Sequence, residues 1–120
     1  GGQRQLASLA QATARRPDLI LLDEPTSALD LRHQMQVMLQ ARRLAAGGRT
    51  VVVVLHDLAV AARWADRLVV LHEGRCHAEG PPRAVLTPAL LGEVYGVAAR
   101  VETCSRGQVT ILCDDLEPLP

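Results

Sequence analysis

Two adjacent carboxylates and one imidazole carry the sharpest chemistry in these 120 residues. Asp23 and Glu24 close the aliphatic run Leu19-Ile20-Leu21-Leu22, and His56 closes the run Val51-Val52-Val53-Val54-Leu55. An Asp at the end of an apolar strand, followed by a Glu, is the arrangement that holds Mg²⁺ and sets a base beside nucleotide phosphates. The two acids then need different surroundings. Asp23 stays ionised against the cation, while Glu24 faces an attacking water and accepts or polarises its proton. His56, neutral or sharing a proton, can hydrogen-bond the γ-phosphate and the same water from the neighbouring strand. Taken by itself, the Asp-Glu pair reads equally well as two solvated residues at a strand end.

For these groups to meet, the two runs must be adjacent strands pointing the same way. The stretch from Leu19 to Leu22 is apolar on successive residues, so both of its faces are expected to be covered, as in parallel sheets flanked by helices. Between the strands, Leu31 to Ala46 has the length of a helix, with Leu31, Met35, Met38, Leu39 and Ala46 near one face and Gly47-Gly48 as its stop. Strand, helix and strand make a right-handed crossover, which brings both carboxyl ends to one edge of the sheet, where such sheets place their chemistry. The fold class is therefore α/β. Ahead of the first strand, residues from Gln3 to Arg16 put Leu6, Leu9, Ala10 and Thr13 at helical spacing until Pro17 ends the run. Gly1-Gly2 precedes this helix, whose amino-terminal amides favour an anion, although Gly-Gly before a helix is more often just a turn.

Beyond His56, Asp57 to Ala65 reads as a short helix with Asp57 as cap, and Arg67 to His72 pairs with Arg75 to Glu79 as a β-hairpin around Glu73-Gly74. Gly80-Pro81-Pro82 breaks the pattern. Ala84 to Leu86 and Pro88 to Tyr95 read as short helices, the second opened by Thr87-Pro88. Val97 to Thr103 and Gln108 to Cys113 form a terminal hairpin, and the acidic, proline-containing stretch from Asp114 to Pro120 is expected to fray. His33, His72 and His77 read as solvated or structural. Cys76, Cys104 and Cys113 lack metal-ligand spacing, and free thiols are favoured over a Cys104–Cys113 bridge across the hairpin. Thirteen acids balance thirteen arginines, so no field gathers nucleic acid or anionic lipid. No apolar run approaches the ~20 residues of a membrane span.

The segment LLDEPTSALD, Leu21 to Asp30, resembles the Walker B motif and D-loop of ATP-binding-cassette (ABC) ATPases. Gly1-Gly2-Gln3-Arg4-Gln5 resembles the remainder of that family's LSGGQ signature, its leading Leu-Ser absent, and His56 sits where the family places its switch histidine. The match runs from Gly1 to about Gly80. It implies a P-loop NTPase domain with a mainly parallel sheet flanked by helices, followed by a β-hairpin and a small α+β tail. Residues 1–80 would be the carboxyl-terminal part of the ATPase domain, and 81–120 an accessory segment of it. The resemblance makes Asp23 the Mg²⁺ acid, Glu24 the catalytic base and His56 the γ-phosphate sensor. It places Ser27 and Asp30 in the loop that crosses a dimer interface, and Gly1, Gly2 and Gln3 against the ATP held by a second subunit.

The departures are equally specific. The family's phosphate loop, G-x-x-x-x-G-K-[ST], needs a lysine, and the chain has none. The adenine-stacking aromatic and the glutamine loop are missing too, and the first residue is Gly. The expectation is a carboxyl-terminal portion of an ABC ATPase cut inside its signature and inactive alone. Thr87 to Val97 is similar to the region after the hairpin in ATPases of iron-siderophore, haem and cobalamin importers. That similarity implies an ATP-hydrolysing subunit of an importer for a ferric siderophore or related metal chelate. It would work as a head-to-tail dimer beneath transmembrane permease subunits, peripheral on the cytoplasmic face of the membrane. Two alternatives stand beside it: a soluble ABC-type ATPase acting on nucleic acid or ribosomes, which calls for coiled-coil or basic extensions not found here, and a non-catalytic truncated product.

Overall fold

The two aliphatic runs form β1, Leu19–Asp23, and β2, Thr50–Val54, in a computed structural model that describes residues 2–118. They pair in parallel from Leu19↔Thr50 to Asp23↔Val54. Backbone bonds extend the ladder at both ends, Thr50 N–H to Asp18 O at 2.9 Å and Glu24 N–H to Val54 O at 2.9 Å. A helix α1, Gly2–Ala14, precedes them, and the crossover is α2, Leu31–Ala46. The chain divides into two compact units between His56 and Asp57, and these elements make up the first.

Alternation along the strands sorts their side chains. Ile20 is buried with Leu9 of α1 and Leu44 of α2, and Leu22 and Val51 pack against this cluster. Burying a side chain such as Ile20 stabilises by about 1.5–3 kcal/mol. Ile20→Asp would put a charge there and break the unit. The opposite face behaves otherwise: Leu19, Leu21, Val52 and Val54 stay exposed. The expectation of a strand pair covered on both faces is therefore met on one face, since α1 and α2 supply one layer. The helix α2 also presents a different face from the one expected. It buries Val37, Met38, Ala41 and Leu44, while Leu31, Met35 and Leu39 are exposed. Both stripes obey helical spacing, and contact with β1 and α1 selects the one that includes Leu44.

In the second unit, α3, Leu58–Trp64, starts at Asp57, whose Oδ1 accepts from Ala59 N–H at 2.9 Å and Val60 N–H at 3.2 Å. Strands β3, Leu68–His72, and β4, Arg75–Gly80, then form the expected antiparallel hairpin. Glu73 and Gly74 both take positive φ, +50° and +73°, which matches the twist of the flanking strands. A four-residue helix α4, Pro82–Val85, begins two residues earlier than expected because Pro82 suits a first helical turn. The helix α5, Pro88–Tyr95, is capped by Thr87 Oγ1, which accepts from Leu90 N–H at 3.1 Å, and is closed by Gly96 in the left-handed conformation. Val70, Val85 and Leu90 form the core with Leu68, Ala78 and Val94, and Leu86 and Leu91 are fully buried.

The terminal strands β5, Val97–Thr103, and β6, Val109–Leu116, pair antiparallel. The acidic stretch expected to fray is in fact strand as far as Leu116. Its register places Asp115 opposite Ala98 and Leu116 opposite Val97, and Arg100 donates to Asp114 at 2.8 and 3.0 Å. Glu117 N–H then bonds Gly96 O at 2.8 Å. Cys113 lies opposite Ala99, and Cys76, Cys104 and Cys113 are all free thiols. The described sheets are thus one parallel pair followed by two antiparallel hairpins, the α/β arrangement expected of this part of the domain.

Candidate active site

Because β1 and β2 run in parallel and in register, their carboxyl ends deliver Asp23 and Val54 side by side, with Glu24 next after Asp23 and His56 two residues beyond Val54. Glu24 leaves the strand with φ +49°, a left-handed conformation that a residue with a Cβ adopts at a cost of about 1–2 kcal/mol. That turn points its carboxylate across to β2. Glu24 Oε1 pairs with His56 Nε2, so the two residues proposed for base and sensor are in direct contact. The Glu24 side chain is 40 % exposed and that of His56 86 %, so the pair opens to solvent on the imidazole side. An open pair leaves a water or phosphate room to approach.

Asp23 is the last residue of β1 and is exposed, with its carboxylate on the uncovered side of the sheet. No group of three or more His, Cys, Asp or Glu side chains among the described residues is placed to hold a metal ion by itself. Mg²⁺ does not require one, since it is bound through one or two carboxylates together with substrate phosphates and waters. A single free carboxylate beside a base fits that pattern.

The loop after Glu24 is built closely. Pro25 and Thr26 are buried, Ser27 N–H bonds Glu24 O at 3.2 Å, and Leu29 N–H bonds Thr26 O at 3.3 Å. Ala28 takes φ +60°. Ser27 is exposed and available to a ligand. Asp30 is engaged within the chain: as the cap of α2 its Oδ1 accepts from His33 N–H at 2.9 Å and meets His33 Nδ1 at 2.7 Å. The backbone bond from His33, followed by its ring, holds the Asp30 carboxyl below the usual carboxylate range. Gly1 lies outside the described residues, as does the side chain of Gln3, and Gly2 opens α1.

Sequence reasoning missed the bracing role of His33 and Gln34. Gln34 Nε2 donates to Leu29 O at 3.1 Å. A histidine three residues after a capping Asp was the available signal, because that position faces the cap. The left-handed Ala28 left no signal at all.

No protein-family model matches the chain. The hemin import ATP-binding protein HmuV of Rhodococcus jostii (strain RHA1) is 58 % identical over 96 residues, covering 80 % of this chain and 33 % of that protein. The HmuV of Rhodopseudomonas palustris (strain HaA2) is 42 % identical over 120 residues, covering 93 % and 46 %. A solved putative metal-chelate type ABC transporter, in an inward-facing conformation, superposes with TM-score 0.80 at 30 % identity over 94 % of this chain and 46 % of that one. The chain belongs to the ABC ATPases. A dimeric ATP-binding cassette bound to ADP and Pi is also similar, with TM-score 0.59 at 40 % identity over 68 % of this chain and 35 % of its own. The chain thus spans between a third and just under half of the two HmuV relatives, and the fold it shares with ABC ATPases is the setting of the Glu24–His56 pair.

Proposed function

We propose that Glu24 is the general base of ATP hydrolysis in an ABC importer subunit and that His56 holds it in place. The observation that carries this reading is the contact between Glu24 Oε1 and His56 Nε2 at the carboxyl edge of the parallel pair. Glu24 takes the proton of the attacking water. His56 orients that carboxylate from the solvent side and can donate toward a γ-phosphate. Asp23 would hold Mg²⁺, which when bound neutralises charge on the phosphates. Ser27 reaches a nucleotide shared across a head-to-tail dimer, with Gly1, Gly2 and Gln3 approaching the ATP of the second subunit, and Asp30 shapes the loop between. Residues 1–80 serve catalysis and 81–120 complete the domain. Permease subunits at the cytoplasmic face of the membrane are the further partners. No helix among the described residues is long and apolar enough to cross a membrane, which suits a peripheral place.

The cargo is a metal chelate, with haem favoured over a siderophore. The HmuV relatives are named for hemin import, and the metal-chelate transporter superposes over nearly the whole chain. The deciding experiment is Glu24→Gln in the full-length subunit. Hydrolysis should fall by ~10²–10⁴-fold while ATP binding persists and an ATP-bound dimer accumulates. Hydrolysis at the parent rate would remove Glu24 from the mechanism. Growth on haem as sole iron source after deletion of the gene tests the cargo, and undiminished haem uptake would reject it.

A further inference from the structure

Glu24 and Ala28 are both left-handed, at φ +49° and +60°, within one five-residue turn. Residues with a Cβ persist there when the surroundings over-determine them. Within the turn, the bonds Ser27 N–H to Glu24 O and Leu29 N–H to Thr26 O are long, at 3.2 and 3.3 Å. Shorter contacts come from the first turn of α2. Gln34 Nε2 reaches back to Leu29 O at 3.1 Å in a half-buried setting, and Gln34 N–H bonds Asp30 O at 2.9 Å.

We propose that Gln34 is a positioning residue for Glu24, acting through the backbone of residues 25–29. The proposal rests on the reading of Glu24 as the base. Leu29 is the link, since its amide ties to Thr26 and its carbonyl to Gln34. With that carbonyl released, the peptide between Leu29 and Asp30 can rotate, the Leu29 amide can leave Thr26, Ala28 can relax to the right-handed region, and the bond from Ser27 to Glu24 O loses its support. The carboxylate then samples positions away from His56. Gln34 is placed on α2 behind the loop, so its loss should change the rate of the chemical step and leave nucleotide affinity alone. A Glu at this position would set oxygen against oxygen, whereas an amide donates.

The test uses the full-length subunit with Gln34→Met, which keeps length and apolar stem but has no donor, and Gln34→Lys, which keeps one. Amide hydrogen exchange without nucleotide is read first, and kcat and KM for ATP second. Loss of one hydrogen bond corresponds to about five- to tenfold. Gln34→Met should therefore exchange the Ser27 and Leu29 amides about that much faster, with β1 unchanged, and lower kcat by a similar factor at constant KM. Gln34→Lys should stay close to the parent in both readouts. Unchanged exchange at Ser27 and Leu29, a rise in KM with kcat constant, or a lysine variant that behaves like methionine would each overturn the proposal. Exchange does not depend on turnover. A wild-type rate for Glu24→Gln would therefore remove the base while the exchange result stood, and unchanged exchange would remove Gln34 while the base stood.

Discussion

Both units pair their charged groups, and they differ in where their left-handed residues fall. In the second unit the charged groups pair with one another: Arg67 with Glu79 at 3.1 Å, His77 with Glu93 at 3.2 Å, Arg100 with Asp114 at 2.8 Å. Its positive-φ residues Glu73, Gly74, Gly96 and Gly107 sit where turns and caps call for them, and Gly80 closes β4 at φ +149°. In the first unit, Arg16, Glu24 and Ala28 are left-handed with no glycine to ease them, Asp23 ends a strand exposed, and one face of the strand pair is apolar and open in a chain that spans less than half of its relatives. Two left-handed residues that carry a Cβ thus fall in the one turn that follows the exposed Asp23, where the surroundings must over-determine the backbone.

The comparison can be broken first at the cores. Leu91 is fully buried, so Leu91→Ala should lower the unfolding free energy by about 2–5 kcal/mol, read by chemical denaturation. Leu21→Ala in this 120-residue chain, on the exposed sheet face at 67 % exposure, should cost well under ~1 kcal/mol. Equal losses would deny that the first unit is covered on one face. Strain is the next lever. Ala28→Val should destabilise by on the order of 1–2 kcal/mol, because a β-branched residue tolerates the left-handed region poorly, whereas Ala28→Gly should leave the melting temperature level or raise it. Thr87→Ala, which removes the cap of α5, should cost about 0.5–2 kcal/mol.

The smallest effect concerns pH. The Asp30 carboxyl titrates below its ordinary range because the His33 amide and ring hold its ionised form. A carboxyl whose folded pKa is depressed contributes stability that is present above its unfolded value and lost as pH falls through the folded one. Stability should therefore decline slightly below about pH 4, and Asp30→Asn should flatten that part of the decline. Asp114, held down by its hydrogen bonds from Arg100, adds a parallel contribution of the same sign. An Asp30→Asn profile superimposable on the parent would show that the cap carries no pH-linked stability.

What was legible in the sequence is what is local. Glu73-Gly74 specified its hairpin, Thr87-Pro88 opened α5, and the aliphatic runs specified two strands whose ends meet. Non-local partners decided the rest. Asp114 and Asp115 read as a loop until Arg100 and Ala98 lie opposite them. The two stripes of α2 were equivalent until Leu9 and Ile20 selected Leu44. Of the site, Asp23, Glu24 and His56 stood out by residue type and place. That Glu24 and His56 touch, and that Gln34 reaches Leu29, depended on backbone angles which residue types alone do not specify.

The central claim is that Glu24 and His56 act as one unit in hydrolysis, and a double-mutant cycle on kcat of the full-length subunit tests it most directly. Glu24→Gln, His56→Ala and the double variant are compared with the parent under saturating ATP. With the base gone, His56 has no carboxylate to orient, so the double variant should be about as slow as Glu24→Gln alone. Losses that multiply independently would contradict the pair.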